Sequence, residues 1–278
     1  MSRNILFIVE GEDLEPKFVK RMAELYNLDC KITSVRTNIH NLYSQLKDGD
    51  GFLDVKIVLK EILQKSINSL SSQKQTIQLQ KKIKQIATDI DNLDQSFESI
   101  YLIFDSELHD SVHSQISYKE DIQKNYNHLK EMIDFFNNET ENGKLYVNYP
   151  MMESYKDCDD FFDEQYQNRE VSLKTLFSRK YKQQVSQRIL SNCRIDRINQ
   201  ENFNKLIFMN IFKLNKITTN NWRKMTYNNF VKRSEQCNIL ESEYAYINNR
   251  EAVAVLNTTV FFILDYFGKK FYNSLPRL

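Results

Sequence analysis

Ile5-Leu6-Phe7-Ile8-Val9-Glu10-Gly11-Glu12 is the stretch that decides the fold. Five apolar residues in a row, with no polar alternation, describe a strand buried on both faces. That is the pattern of a parallel sheet covered by helices. The acids and glycine that follow make a turn. Pro16 suits the first turn of a helix whose Phe18, Val19, Met22 and Leu25 share one face. The unit is strand, acidic turn, helix. Lys31–Thr37 reads as a second strand and Ile39–Leu46 as a short helix. Ile100-Tyr101-Leu102-Ile103-Phe104 repeats the buried pattern and ends in Asp105-Ser106-Glu107, before a helix over Lys119–Asn137. Leu145-Tyr146-Val147-Asn148-Tyr149 is a third such strand, followed by Pro150 and Glu153.

Between the first and second apolar strands, Leu53 to about Leu93 is helical in pattern. Val55, Val58, Leu59 and Ile62 form one stripe; Leu79, Ile83, Ile86, Ile90 and Leu93 form another. The polar turn Ser71-Ser72-Gln73 separates them. Two readings stand side by side: a helical hairpin projecting from the sheet, or a plain crossover between parallel strands. Beyond about residue 160 strand signals fade, and the rest reads as helices rich in Lys, Arg, Asn and aromatics.

Composition narrows the class. The chain has 278 residues, 5 Gly and 3 Pro, too few turn formers for an all-β fold. The expectation is α/β: a parallel sheet flanked by helices over 1–160, a helical insertion at about 53–95, and a helical, basic C-terminal domain over 161–278. Cys30, Cys158, Cys193 and Cys237 are scattered, with no C-x-x-C pair for zinc. The longest apolar stretch, Ala252–Leu264, is interrupted by Asn257, Thr258 and Thr259 and is too short to span a bilayer. With no signal-peptide pattern at the start, the expected location is the cytoplasm, without membrane attachment.

Each apolar strand delivers carboxylates just past its C-terminal end, the edge where open parallel sheets bind ligands. Glu10, the pair Asp105 and Glu107, and Glu153 are therefore expected to converge. Converging carboxylates repel one another unless a cation joins them, and oxygen ligands suit Mg²⁺ or Mn²⁺. His109 and His113 lie four apart but read as solvent-exposed helix residues, and His40 as packing or capping. There is no G-x-S-x-G elbow and no G-x-x-x-x-G-K-[ST] loop, so any ATP dependence must come from a partner.

The blocks VEGEDLEPKF, YLIFDSELHD and NYPMMES together resemble the Toprim domain of topoisomerases, primases and OLD-type nucleases. Within that superfamily they are most similar to the small Toprim effectors of bacterial anti-phage and abortive-infection systems, of the RloB kind and the Toprim subunit of PARIS. The resemblance covers about residues 4–160, and the closing AVLNTTVFFILDYFG is also similar to the ends of such effectors. It implies that Glu10 is the Toprim glutamate, Gly11 the glycine that follows it, and Asp105 with Glu107 the Asp-x-Asp pair. Here Glu107 replaces the second Asp and lengthens that arm. Glu12, Glu15 and Glu153 resemble additional acids of the nuclease branch and are candidates for a second metal site. The implied activity is metal-dependent endonuclease cleavage of tRNA or DNA. The implied partners are the nucleic acid, an ABC- or AAA-type ATPase, and a second copy of the chain.

Charge distribution adds a substrate surface. Residues 171–240 hold 14 Lys+Arg and 3 Asp+Glu, a local +11 in a chain whose net charge is +1. Within it, Lys180, Lys182, Trp222, Arg223, Lys224, Tyr227, Lys232 and Arg233 interleave cations with aromatics, a pattern that suits phosphates and unpaired bases. The same stretch also reads as a solvated helical face with core aromatics. The rival function is a non-catalytic effector or regulatory subunit that binds an ATPase through its helical parts.

Overall fold

The computed structural model describes residues 4–73, 76–108, 118–158, 164–188 and 194–275. It is α/β, with a mostly parallel five-stranded sheet in the order β2-β1-β5-β7-β6. By packing, the chain divides into two compact units, 1–104 with 134–145 and 105–133 with 146–278. His109 and His113 lie outside the described residues.

In the first unit, β1 (Ile5–Val9) is wholly buried and pairs in parallel with β2 (Cys30–Ser34) and β5 (Ser99–Asp105). Phe7 stands opposite both Ile32 and Tyr101, and its ring stacks on Tyr101 at 5.6 Å between centroids. An inner strand leaves no face for water, so every residue of β1 is apolar. Helix α1 (Leu14–Tyr26) buries Phe18, Val19 and Met22 and ends on Asn27 in the left-handed conformation. Helix α2 (Ile39–Leu46) starts where the Asn38 side chain accepts from the Asn41 N–H. A small hairpin, β3 (Lys47–Asp48) with β4 (Gly51–Phe52), leads into α3 (Val55–Ser71), capped by Asp54, and α4 (Ile77–Leu93), capped by Thr76.

The two helices form the hairpin that their apolar stripes describe, and its second arm returns to the sheet. Thr33 Oγ1 donates to Asp89 O at 3.4 Å, and Asn92 Nδ2 donates to Ile32 O at 3.3 Å. The crossover reading therefore holds for the end of α4, whereas Ile77 at its start is 74% exposed. Arg36 locks the join. Its guanidinium donates to Ser34 O at 2.7 Å and to Asp89 Oδ2 at 3.0 Å, and it also pairs with Glu12. Two residues of β6 (Asn137–Asn138) pair antiparallel with β7 (Gly143–Asn148).

The second unit holds most of α5 (Tyr118–Phe135), the end of β7, a 3₁₀ turn over Met152–Asp157, α6 (Glu164–Gln167), α7 (Leu173–Phe177), α8 (Tyr181–Arg188), α9 (Gln200–Thr219), α10 (Tyr227–Arg233), α11 (Gln236–Arg250) and α12 (Phe262–Ser274). Contrary to the fading strand signal, β8 (Glu170–Ser172) and β9 (Ala252–Ala254) pair antiparallel across about eighty residues of sequence. The apolar stretch 252–264 is buried throughout and is the centre of this unit. No helix among the described residues is long and apolar enough to cross a membrane.

Inside this core sit an acidic and a basic side chain, Glu243 and Lys213. Lys213 donates to three main-chain carbonyls, of Tyr166, Gln167 and Arg169, at 2.7–3.1 Å. Burial lowers its ammonium to about 7, against the nearby charge of Glu243. Glu243 accepts from the Ala254 N–H at 3.1 Å, tying α11 to β9. Burial raises its carboxyl to about 8.

Candidate metal centre

Glu10 follows β1, Asp105 ends β5, and Glu107 lies two residues further on. Because β1 and β5 are parallel neighbours in register, with Val9 beside Ile103, their C-terminal residues emerge side by side. Each of the three offers a carboxylate oxygen, and these oxygens all lie within 4.8 Å of one another. Asp105 is buried, and Glu10 and Glu107 are half-buried. Among the described residues this is the only group of three or more His, Cys, Asp or Glu side chains so gathered.

The turn that carries Asp105 and Glu107 is held on several sides. Asp105 Oδ1 accepts from the Met152 N–H at 2.6 Å. Ser106, fully buried, donates its N–H to Asn148 O at 3.0 Å and its hydroxyl to Pro150 O at 3.0 Å. Glu107 adopts a left-handed backbone, φ 43°, uncommon for a residue with a Cβ. Asn125 of α5 donates to the carbonyls of Glu107 and Leu108, both at 3.2 Å. A strand already puts residues i and i+2 on one face, so the turn leaves Asp105 and Glu107 on a common side while ending the strand and holding the Glu107 main chain in place.

The buried closing stretch supports that turn. Asn148 Oδ1 accepts from the N–H groups of Thr258 and Thr259 and from the Thr259 hydroxyl, while Thr258 Oγ1 donates to Val147 O at 2.8 Å. Asn257 Nδ2 donates to Met152 O at 3.1 Å, on the residue whose N–H holds Asp105. Reading the sequence for chemistry passes over these neutral residues. Their one signal is three polar side chains, Asn257-Thr258-Thr259, set inside an otherwise apolar run.

The other acids singled out from the sequence lie outside the cluster. Glu12 is engaged by Arg36 and by Lys82 Nζ at 2.9 Å. Burial raises its carboxyl, but hydrogen bonds from Lys82 and Arg36 and their charges outweigh that and leave it below the usual range. Glu15 is buried on α1, with its carboxylate against Gly11. A Cβ at Gly11 would meet that carboxylate and displace the end of the Glu15 side chain. Glu153, 8% exposed, has Oε1 at 3.4 Å from Lys182 Nζ, while Oε2 is buried without a hydrogen bond. His40 is buried on α2, in keeping with a packing role.

The basic and aromatic candidates are divided between surface and core. Lys180, Lys182, Arg223 and Lys232 are exposed. Trp222 packs edge-on to Phe212, with centroids 5.4 Å apart. Lys224 donates to Tyr272 O at 2.9 Å, and Arg233 donates to Asn215 Oδ1 at 2.7 Å. Tyr227 is half-buried, edge-on to Tyr272 at 5.4 Å. No protein-family model, curated protein or solved structure matches the chain.

Three carboxylates in this space make an all-oxygen donor set of high negative charge. Among the described residues the group holds oxygen donors alone, a chemistry that fits Mg²⁺ or Mn²⁺.

Proposed function

We propose that the chain is a metal-dependent endonuclease of the Toprim type. The observation that carries the reading is the cluster of Glu10, Asp105 and Glu107 at the carboxyl ends of two parallel neighbours. In this reading the three side chains hold Mg²⁺ or Mn²⁺. Asp105 is oriented for that task by the Met152 N–H, and the turn that carries Glu107 is held by Asn125. A divalent ion held there would supply Lewis-acid polarisation of a phosphoryl oxygen and activation of water. Glu153, with a buried oxygen lacking a hydrogen bond, is the best of the remaining acids for a second ion.

The substrate class, tRNA or DNA, is supported by the +11 region. The setting in anti-phage defence, the cytoplasmic location and control by an ABC- or AAA-type ATPase rest on the resemblance of the three sequence blocks. The experiment is incubation of the purified chain with labelled tRNA, plasmid, linear duplex and single-stranded DNA, in Mg²⁺ or Mn²⁺ and in EDTA. Cleavage of at least one substrate is expected, abolished by EDTA and by Glu10→Gln. Cleavage that survives both, or none with any substrate, contradicts the proposal.

A further inference from the structure

Within the second unit, α9, α10, α12 and the loop before α10 border an open cavity of about 570 Å³, lined by Lys224, Tyr227, Asn228, Lys269, Tyr272 and Asn273 among others. Its size suits a small organic ligand. Its chemistry is mixed in a specific way: aromatic rings in the wall, amides and two ammonium groups, and no carboxylate. The charged residues in its lining, Lys224 and Lys269, are both cations. The segments 220–234 and 266–273, which supply most of the lining, hold Arg223, Lys224, Lys232, Arg233, Lys269 and Lys270 and no Asp or Glu.

The two lining cations are placed differently. Lys224 is fixed in the wall, its ammonium 2.9 Å from Tyr272 O, 4.8 Å from the Tyr272 ring centroid and 5.5 Å from that of Phe208. A positive charge held in this way has little side-chain entropy left to lose on meeting an anion. Lys269 is exposed and makes no ion pair among the described residues. It follows Gly268, where α12 breaks its helical dihedrals (φ 69°, ψ −159°), a conformation open to glycine. Tyr227 offers a half-buried ring braced edge-on by Tyr272, and the exposed amides of Asn228 and Asn273 can exchange hydrogen bonds with a base edge.

We propose that this cavity takes one unpaired nucleotide of a single-stranded or looped nucleic acid, with the base against Tyr227 and the phosphate at Lys224 and Lys269. A duplex keeps its bases stacked inside and cannot fill the cavity without extruding one, at a cost of a few kcal/mol. The choice of polymer rests on the nuclease reading; the cavity and its charge do not.

The test is fluorescence anisotropy of a labelled twelve-nucleotide single strand, as DNA and as RNA, and of the matching duplex. It is done in EDTA with the full chain, so that neither cleavage nor the carboxylate cluster contributes. Single strands should bind more tightly than duplex. Tyr227→Leu should weaken single-strand binding by roughly 5- to 150-fold, and Tyr227→Phe should retain it. Lys269→Gln, at an exposed position, should flatten the log–log salt slope by about 0.7. Lys65→Gln, exposed on α3, should change nothing. Absence of single-strand binding, or wild-type affinity and slope in both Tyr227→Leu and Lys269→Gln, overturns the assignment. If those variants bind as wild type while metal-dependent cleavage persists, the cavity fails and the nuclease reading stands. Binding as described without cleavage of any substrate leaves the cavity and removes the nuclease.

Discussion

Asp105 offers the sharpest test of what holds the acidic turn together. Three carboxylates within 4.8 Å of one another make three like-charge pairs. At an effective dielectric of about 20, each ionised pair at that separation costs about 3.5 kcal/mol. Glu10 and Glu107 are half-buried, so solvent screens this to about 1 kcal/mol per pair. Asp105→Asn removes the two pairs that involve Asp105 and keeps an oxygen to accept from the Met152 N–H. The three side chains also have partners of their own, so about 2 kcal/mol, a rise in melting temperature of roughly 4 °C, is the upper bound on the stability that the variant gains over the parent in EDTA. Asp105→Ala removes the same repulsion but leaves a buried N–H without its acceptor. That costs about 1–3 kcal/mol relative to the Asn variant. Differential scanning calorimetry or urea titration in EDTA separates the two. If Asn and Ala melt alike and both below the parent, the repulsion is already compensated within the protein, and the argument for a cation fails.

Two further outcomes follow from the charges inside each unit. Arg36→Met strips Asp89, 1% exposed, of its guanidinium partner and should cost about 3–5 kcal/mol by urea unfolding, most of it recovered in the Arg36→Met/Asp89→Asn double variant; a loss below about 1 kcal/mol would refute the locking role. Burial raises the Glu243 carboxyl to about 8 in the folded chain against 4.5 unfolded, so between these values the native state keeps a proton that the unfolded chain has released and stability should fall as pH rises; Glu243→Gln should remove this decline and, by taking away the carboxylate that raises the Lys213 ammonium, move the opposite rise that Lys213 contributes to lower pH, and an unchanged pH profile would sink the assignment.

The parts of the fold that were legible from sequence are those whose signal is local. Ile5–Val9 and Ile100–Phe104 announce themselves because a strand covered on both faces must be apolar at every position. Helix α2 matches its expected range Ile39–Leu46, with Asn38 as the cap, and the two arms of the hairpin follow their stripes on either side of a polar turn. The three carboxylates were legible for the same reason, since each lies at or within two residues of the end of a strand that could be placed. What stayed hidden depends on partners far along the chain. Strands β8 and β9 have three residues each and exist only because they pair with one another. The 252–264 run becomes strand, 3₁₀ turn and helix in succession, which a uniform apolar pattern does not distinguish. Glu12 lies two residues from Glu10, yet its surroundings are set by Arg36 and Lys82, 24 and 70 residues away. Likewise Met152 holds Asp105 through a main-chain N–H, a contact that no side-chain motif encodes.

The most direct measurement of the central claim is titration of the metal-free chain with Mn²⁺, followed by electron paramagnetic resonance of the free ion and by calorimetry. The account predicts saturable binding, displaced by Mg²⁺, that is lost or weakened at least tenfold in Glu10→Gln and in Asp105→Asn, with each variant still folded. Binding of unchanged affinity and stoichiometry in both variants, or no binding by the parent chain, would contradict it.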